Sequence, residues 1–148
     1  MRFTHLSATQ VKEFHTPRKL GIKPKPAGVL WFACEDAWRT WIKDEVGNEE
    51  WLKQYKYEYT AELGESKLIV LKTYKDIQEF NTKFSGDEDY NTINWDRVRK
   101  ETGKSGIFVK NPRIFKARQD FLWYSSFDIC SVGVWSSDAI RSFVGKKI

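Results

Sequence analysis

Val29-Leu30-Trp31-Phe32-Ala33, with Trp38 and Trp41 close behind, reads as an apolar strand running into a short helix. Large rings are spaced along both elements, three indoles and one phenyl within eleven residues. A strand needs one or two such rings to pack against a neighbour. The surplus has two readings: an aromatic core cluster, which is the commoner fate of any single Trp, or flat apolar surface suited to stacking a planar ligand. Upstream, Gly21-Ile22-Lys23-Pro24-Lys25-Pro26-Ala27-Gly28 is a loop, because two prolines remove donors and restrict the residues before them. Downstream, Ala37, Trp38, Trp41, Ile42 and Val46 recur at helical spacing, so helix is expected from Glu35 to about Leu52, with Gly47-Asn48 as its weak point.

The same reading extends along the rest of the chain. Arg2 to Ser7 is a short strand, and Ser7 is placed to cap a helix-like segment from Ala8 to Phe14. Tyr55 to Leu63 alternates as a strand, Gly64-Glu65-Ser66 turns, and Lys67 to Lys72 returns as the second arm of a hairpin. Tyr74 to Phe84 is helical with Ile77, Phe80 and Phe84 on one face, and Gly86 to Thr92 is an acidic polar loop. Asn94 caps an amphipathic helix from Trp95 to Thr102, and Gly106 to Lys110 is a short strand ended by Asn111-Pro112. Ile129 to Trp135 is a late strand, and Ser137 begins a closing helix. Strands and helices alternate without a βαβ cadence, and no Gly-rich GxGxxG or Walker A turn is present. The expected architecture is a single α+β domain over residues 1–148, with a mostly antiparallel, split sheet flanked by helices.

Composition bounds the function class. The 148 residues are 41% hydrophobic and 16% aromatic, enough for a packed core. No apolar run approaches the roughly 20 residues that span a bilayer, and Met1-Arg2-Phe3-Thr4-His5 lacks the apolar core of a secretory signal. Cys34 and Cys130, the only cysteines, do not suggest a disulfide scaffold; free thiols and a cytoplasmic protein are expected. The formal charge of +5 is spread over 25 basic and 20 acidic residues. It gathers locally at Arg18, Lys19, Lys23 and Lys25, and at Lys110, Arg113, Lys116 and Arg118. Such patches suit phosphates or are ordinary solvated loops, and the charge alone decides neither.

The inventory leaves little room for metal or triad chemistry. His5 and His15 are the only histidines, no CxxC or HxxxH spacing occurs, and no GxSxG elbow supports a Ser/His/Asp triad. No metal is expected. What remains is chemistry by positioning: a histidine in the first strand, an aromatic wall and a late carboxylate. His5 is either a structural donor to a backbone carbonyl or a group that fixes a ribose or phosphate. Asp128, between Phe127 and Ile129 before the late strand, is either a loop cap or an active-site carboxylate.

Taken in order, three segments resemble the motifs of the ADP-ribosyltransferase fold in its His-Tyr-Glu branch, as found in small phage or bacterial proteins. Thr4-His5-Leu6-Ser7 resembles the histidine-bearing first strand. Gly28-Val29-Leu30-Trp31-Phe32-Ala33 resembles the second motif, with Trp31 at its first aromatic position and Trp41 or Trp38 near its second. Asp128 before Ile129-Cys130-Ser131-Val132 occupies the place of the carboxylate, and Gly106-Ile107-Phe108-Val109 resembles the short strand that precedes it. The chain departs from the pattern with Trp31 for the usual tyrosine, Leu6 for the common glycine and Asp128 for glutamate.

The resemblance implies NAD+ as co-substrate and transfer of ADP-ribose with release of nicotinamide. His5 then hydrogen-bonds the adenosine ribose, and the Leu6 backbone engages the nicotinamide amide. Trp31 and Trp41 or Trp38, with Phe32 in the same motif, form the ring site. Asp128 holds a ribose hydroxyl and opposes developing positive charge, while Lys23 or Lys25 meets the pyrophosphate. The acceptor is a macromolecule, protein or nucleic acid. The competing reading is a non-enzymatic module that grips single-stranded nucleic acid or a protein partner with its aromatic and basic surface. Neither reading involves a membrane.

Overall fold

The aromatic strand lies in the middle of a seven-stranded sheet. In a computed structural model, which describes residues 1–47, 49–86 and 91–148 (backbone alone at 46 and 49), the strands are β1 (Phe3–Ser7), β2 (Ile22–Lys23), β3 (Leu30–Cys34), β4 (Tyr57–Leu63), β5 (Leu68–Leu71), β6 (Ile93–Asn94), β7 (Gly106–Val109), β8 (Ser131–Val134) and β9 (Ile140–Lys147). The helices are α1 (Ala37–Trp41), α2 (Tyr74–Phe84), α3 (Trp95–Thr102), α4 (Phe115–Asp120) and α5 (Leu122–Ser125). The sheet runs β5-β7-β8-β3-β1-β4-β9, and only β5 and β7 are parallel. β2 and β6 form a separate two-stranded ribbon. The chain is thus α+β with a mostly antiparallel sheet. The main sheet is continuous in its pairing rather than split.

Alternation along the strands builds two cores. β7 shows this best: Ile107 and Val109 face the helices while Phe108 faces the opposite side, and all three are fully buried. The helical side holds Trp95, Trp123 and Trp135 with Phe80, Tyr124 and Phe127. Each buried indole N–H has an acceptor: Trp95 donates to Lys23 O at 2.9 Å, Trp123 to Asn81 Oδ1 at 2.9 Å, and Trp135 to Lys104 O at 2.7 Å. That satisfaction is what lets tryptophan sit this deep, because an unpaired buried donor costs about 1–3 kcal/mol. The other side gathers Phe3, Phe32, Phe108 and Val132. Leu68 from one edge strand and Leu63 from near the opposite edge share this second cluster, so the sheet curls around it.

Expectations resting on local signals hold best. α2 spans Tyr74–Phe84, with a capping box between Thr73 and Asp76, and Asn94 caps α3 by accepting from Arg97 N–H. Four others are corrected. Ala8 to Phe14 is not helical; the Ser7 hydroxyl donates to Thr9 O and accepts from Thr9 N–H, closing a turn in competition with a helix. The long helix is broken into α1, a π-helical turn (Ile42–Val46) and a 3-10 segment (Glu49–Gln54). Glu35 at φ 50° delays its start, and Gly47 at φ 70° ends its first part. The hairpin does not form. After Gly64 the chain crosses the sheet end in a 3-10 turn (Glu65–Lys67), and β5 joins β7 rather than β4, burying Leu68 and Leu71. The closing helix is a single 3-10 turn (Ser137–Ala139), after which β9 pairs with β4 along its length. The acidic loop expected over 86–92 falls largely outside the described residues, and α4 and α5 had no counterpart in the sequence reading.

The cysteines are also corrected: Cys34 and Cys130 are bonded, with Cα atoms 5.4 Å apart. The register supplies the reason. β3 and β8 pair Leu30 with Val134 through Ala33 with Ser131, so the next opposed pair is Cys34 and Cys130, and Cys34 N–H donates to Cys130 O at 3.0 Å. A disulfide of this kind persists in oxidising surroundings, so the structure lends the cytoplasmic expectation no support. Among the described residues no helix is long and apolar enough to cross a membrane.

Candidate functional site

A break in one ladder opens a cleft. β1 and β3 pair only at Phe3↔Cys34 and Thr4↔Ala33. Continuing that register would set Leu6 opposite Trp31. Instead the His5 ring reaches across, and its Nδ1–H donates to Trp31 O at 2.7 Å. The carbonyl that would have received the Leu6 N–H is therefore taken by a side chain, and the strands part. Peptide groups alternate along β1: Arg2 O accepts from Glu35 N–H on the β3 side, and Ser7 O accepts from Lys56 N–H on the β4 side. Leu6 consequently turns its N–H and C=O toward β3, into the gap.

The cleft encloses about 340 Å³ and is bordered by β1, β3, Lys25, Trp38, Tyr55 and the segment 127–131. That is the small end of the roughly 300–1,000 Å³ of ligand pockets. It suits one ring and its sugar, with the rest of a larger ligand running out of the mouth. Trp31 lies flat because its cross-strand partner is Gly133; a Cβ there would come 2.9 Å from the indole. The Phe127 ring meets Trp31 edge-on, with centroids 5.9 Å apart. Trp38 faces the cleft and is backed by Trp41, stacked at 5.2 Å and 11°. The helix carrying both is anchored at its start. Thr4 Oγ1 donates to Glu35 O, and the Arg2 guanidinium pairs with Glu35 and Asp36.

The polar groups are few. Burial pushes the His5 imidazole below its usual 6.5, partly opposed by its bond to Trp31 O, so at neutral pH it is uncharged. With Nδ1 donating, Nε2 presents a lone pair as acceptor. Asp128 stands at the mouth with its side chain 47% exposed, held by the segment before it. The Arg118 guanidinium donates to Pro112 O, Phe127 O and Ser125 O at 3.0, 2.8 and 3.2 Å and lies 3.9 Å from the Asp128 carboxylate. Arg118 therefore works inward rather than as part of a phosphate-binding surface. Lys25 points over the rings, its ammonium 5.1 Å from the Phe127 centroid and 5.9 Å from that of Trp31.

His5, Leu6, Lys25, Trp31, Phe32, Trp38 and Asp128 thus border one cavity. Two expected residues do not. Lys23 belongs to the β2–β6 ribbon, where its carbonyl holds Trp95. Trp41 stands behind Trp38 and instead lines a second groove of about 350 Å³ on the far side of Asp128, with Asp44, Glu45, Pro112 and Arg113. Phe32 borders the cleft, yet its ring is only 1% exposed and packs edge-on against Phe143, so it is a core residue. Thr4, Ala33, Tyr55, Phe127, Ile129 and Ser131 also border the cleft without having been named as site residues. Thr4, Ala33, Ile129 and Ser131 lie in the motif stretches and Phe127 is the aromatic directly before the candidate carboxylate, whereas Tyr55 carried no signal. Among the described residues no group of three His, Cys, Asp or Glu side chains is placed to hold a metal ion. Compared with family models, curated proteins and solved structures, the chain matches none.

Proposed function

We propose that the cleft binds the nicotinamide end of NAD+ and that the protein is an ADP-ribosyltransferase of the His-Tyr-Glu type, acting on a protein or nucleic-acid acceptor. The observation that carries this reading is the meeting of His5, Leu6, Trp31, Trp38 and Asp128 in one cavity at the parting of β1 and β3. These residues come from three distant stretches of chain, and the family resemblance orders them in the same way. The N–H and C=O that Leu6 turns toward the gap between β1 and β3 match the two complementary groups of a carboxamide. The Nε2 acceptor of His5 suits a ribose hydroxyl, and Trp31 and Trp38 offer faces to the pyridinium, where stacking contributes about 0.5–1.5 kcal/mol beyond area burial.

In the reaction the bond from C1′ of the ribose to the pyridinium nitrogen breaks, and its electron pair leaves with neutral nicotinamide. The acceptor nucleophile bonds to C1′ and gives up its proton to solvent. In this reading the Asp128 carboxylate, at the border of the cavity, opposes the positive charge that develops on the ribose between these events. The test is nicotinamide release from NAD+ by the wild type and by Asp128→Asn. Removal of one preorganised electrostatic group costs about 10²–10³-fold in turnover, and a loss of that size with unchanged thermal unfolding is expected. Wild-type turnover in the variant, or no NAD+-dependent quenching of tryptophan fluorescence in either protein, would overturn the proposal.

A further inference from the structure

We propose that the rings of Trp31 and Phe127 with the Asp128 carboxylate form a cation subsite, and that Lys25 is its tethered occupant, a specificity-determining residue that a ligand must displace. Four observations lead there. The Lys25 ammonium lies over both rings, at 5.1 and 5.9 Å from their centroids, within the reach of a cation–π contact. Lys25 borders the same cavity as these rings and Asp128. The residue as a whole is exposed, yet desolvation around its ammonium lowers its pKa, opposed by the Asp128 charge. Finally, its tether is stiff. Lys25 stands between Pro24 and Pro26, the loop is closed by Ala27 N–H donating to Leu20 O, and the Lys23 carbonyl is pinned by Trp95.

This geometry differs from a lysine waiting at the mouth for a pyrophosphate. Two ring faces and a carboxylate around one ammonium make a site for positive charge, and a pyridinium ring has the same charge with a better stacking shape. Lys25 and such a ring compete for the same space. The lysine also ranks ligands: only one whose charge gains as much from the rings and Asp128 as the ammonium does can replace it. A neutral ring gains no such compensation.

The inference deepens the nicotinamide reading, on which the choice of probe rests, and it is tested apart from transfer chemistry. 1-Methylnicotinamide, a permanent pyridinium, and neutral nicotinamide are titrated by calorimetry into the wild type, Lys25→Met and Lys25→Arg. With the tethered cation gone, Lys25→Met is expected to bind the pyridinium about 2–30-fold more tightly, Lys25→Arg to stay near wild type, and neutral nicotinamide to gain less than the cation. An unchanged or weaker pyridinium affinity in Lys25→Met overturns the inference, as does an equal gain for the neutral amide, which would mark Lys25 as filling space only. If the pyridinium gains but NAD+ is neither bound nor cleaved, the subsite stands and the transferase reading fails. If NAD+ is cleaved and Lys25→Met leaves the pyridinium affinity unchanged, the reverse holds.

Discussion

Reducing the Cys34–Cys130 bond should cost this protein a large share of its stability. The bonded cysteines are 96 residues apart in sequence, so the bond closes most of the chain into one loop. In the chain-entropy description, closing a loop of that size removes about 4–5 kcal/mol of freedom from the unfolded chain. The native side adds little strain, since continuing the β3–β8 register sets the two residues opposite each other and Cys34 N–H already donates to Cys130 O. For a chain of 148 residues, where 1 kcal/mol moves the melting point by about 2–4 °C, the loss corresponds to roughly 8–20 °C. The assay is thermal unfolding followed by circular dichroism, with and without reductant, alongside Cys34→Ser/Cys130→Ser. The reduced protein and the double variant should agree. Two thiols alkylated in the native, oxidised protein, or a melting point indifferent to reductant, would refute the reasoning from register.

Gly133→Ala places a methyl 2.9 Å from two atoms of the Trp31 ring; the indole must lift off β8 into the cleft, at an overpacking cost of about 1–3 kcal/mol. Denaturant unfolding and NAD+ quenching measured together should both weaken, and a variant unchanged in both would show that Trp31 does not rest on this glycine. The second concerns pH. Burial lowers the His5 pKa in the fold, so between that value and 6.5 the unfolded chain binds the extra proton and stability falls as pH drops. His5→Gln should flatten the stability profile in the interval just below pH 6.5, leaving the fall at lower pH, where Glu58, Asp76 and Asp96 with their lowered values take up protons. An equal slope in both proteins over that interval would place the His5 ring in solvent.

What the sequence disclosed tracks how local each signal is. α2 was legible to its boundaries because Thr73, Asp76, Ile77, Phe80 and Phe84 all act within the element. β9 was not, because its preceding turn does carry a capping serine, Ser136 accepting from Asp138 N–H, and only the partner β4, far upstream, makes the following residues a strand. The same distance problem hid the β5–β7 pairing, whose parallel partners Leu68 and Gly106 are separated by all of α2 and α3, and the disulfide, whose cysteines are 96 residues apart. In the site, residue types were readable but directions were not. Trp38 and Trp41 differ by three positions on one helix, and which of them faces the cleft depends on where α1 begins, a matter set by Glu35 in a left-handed conformation. Lys23 and Lys25 differ likewise: the β2–β6 ribbon takes the first and leaves the second to turn inward.

The middle of a sheet is an unfavourable place for an opening, because each unpaired peptide group there gives up a ladder bond. β3 shows how the chain tolerates it. On its β8 side every residue from Leu30 to Ala33 is paired and the run ends in a covalent bond at Cys34. On its β1 side pairing stops at Ala33, and one imidazole satisfies the Trp31 carbonyl left over. The firm edge lets the other edge part, and the groups exposed by the parting, the Leu6 amide and carbonyl, are those a carboxamide would complete. The disulfide ties the same strand to the residues just after Asp128, while Arg118 fixes those just before it. Rigidity around the cleft is thus concentrated on the two elements whose separation decides whether the ring wall and the carboxylate can act on one ligand.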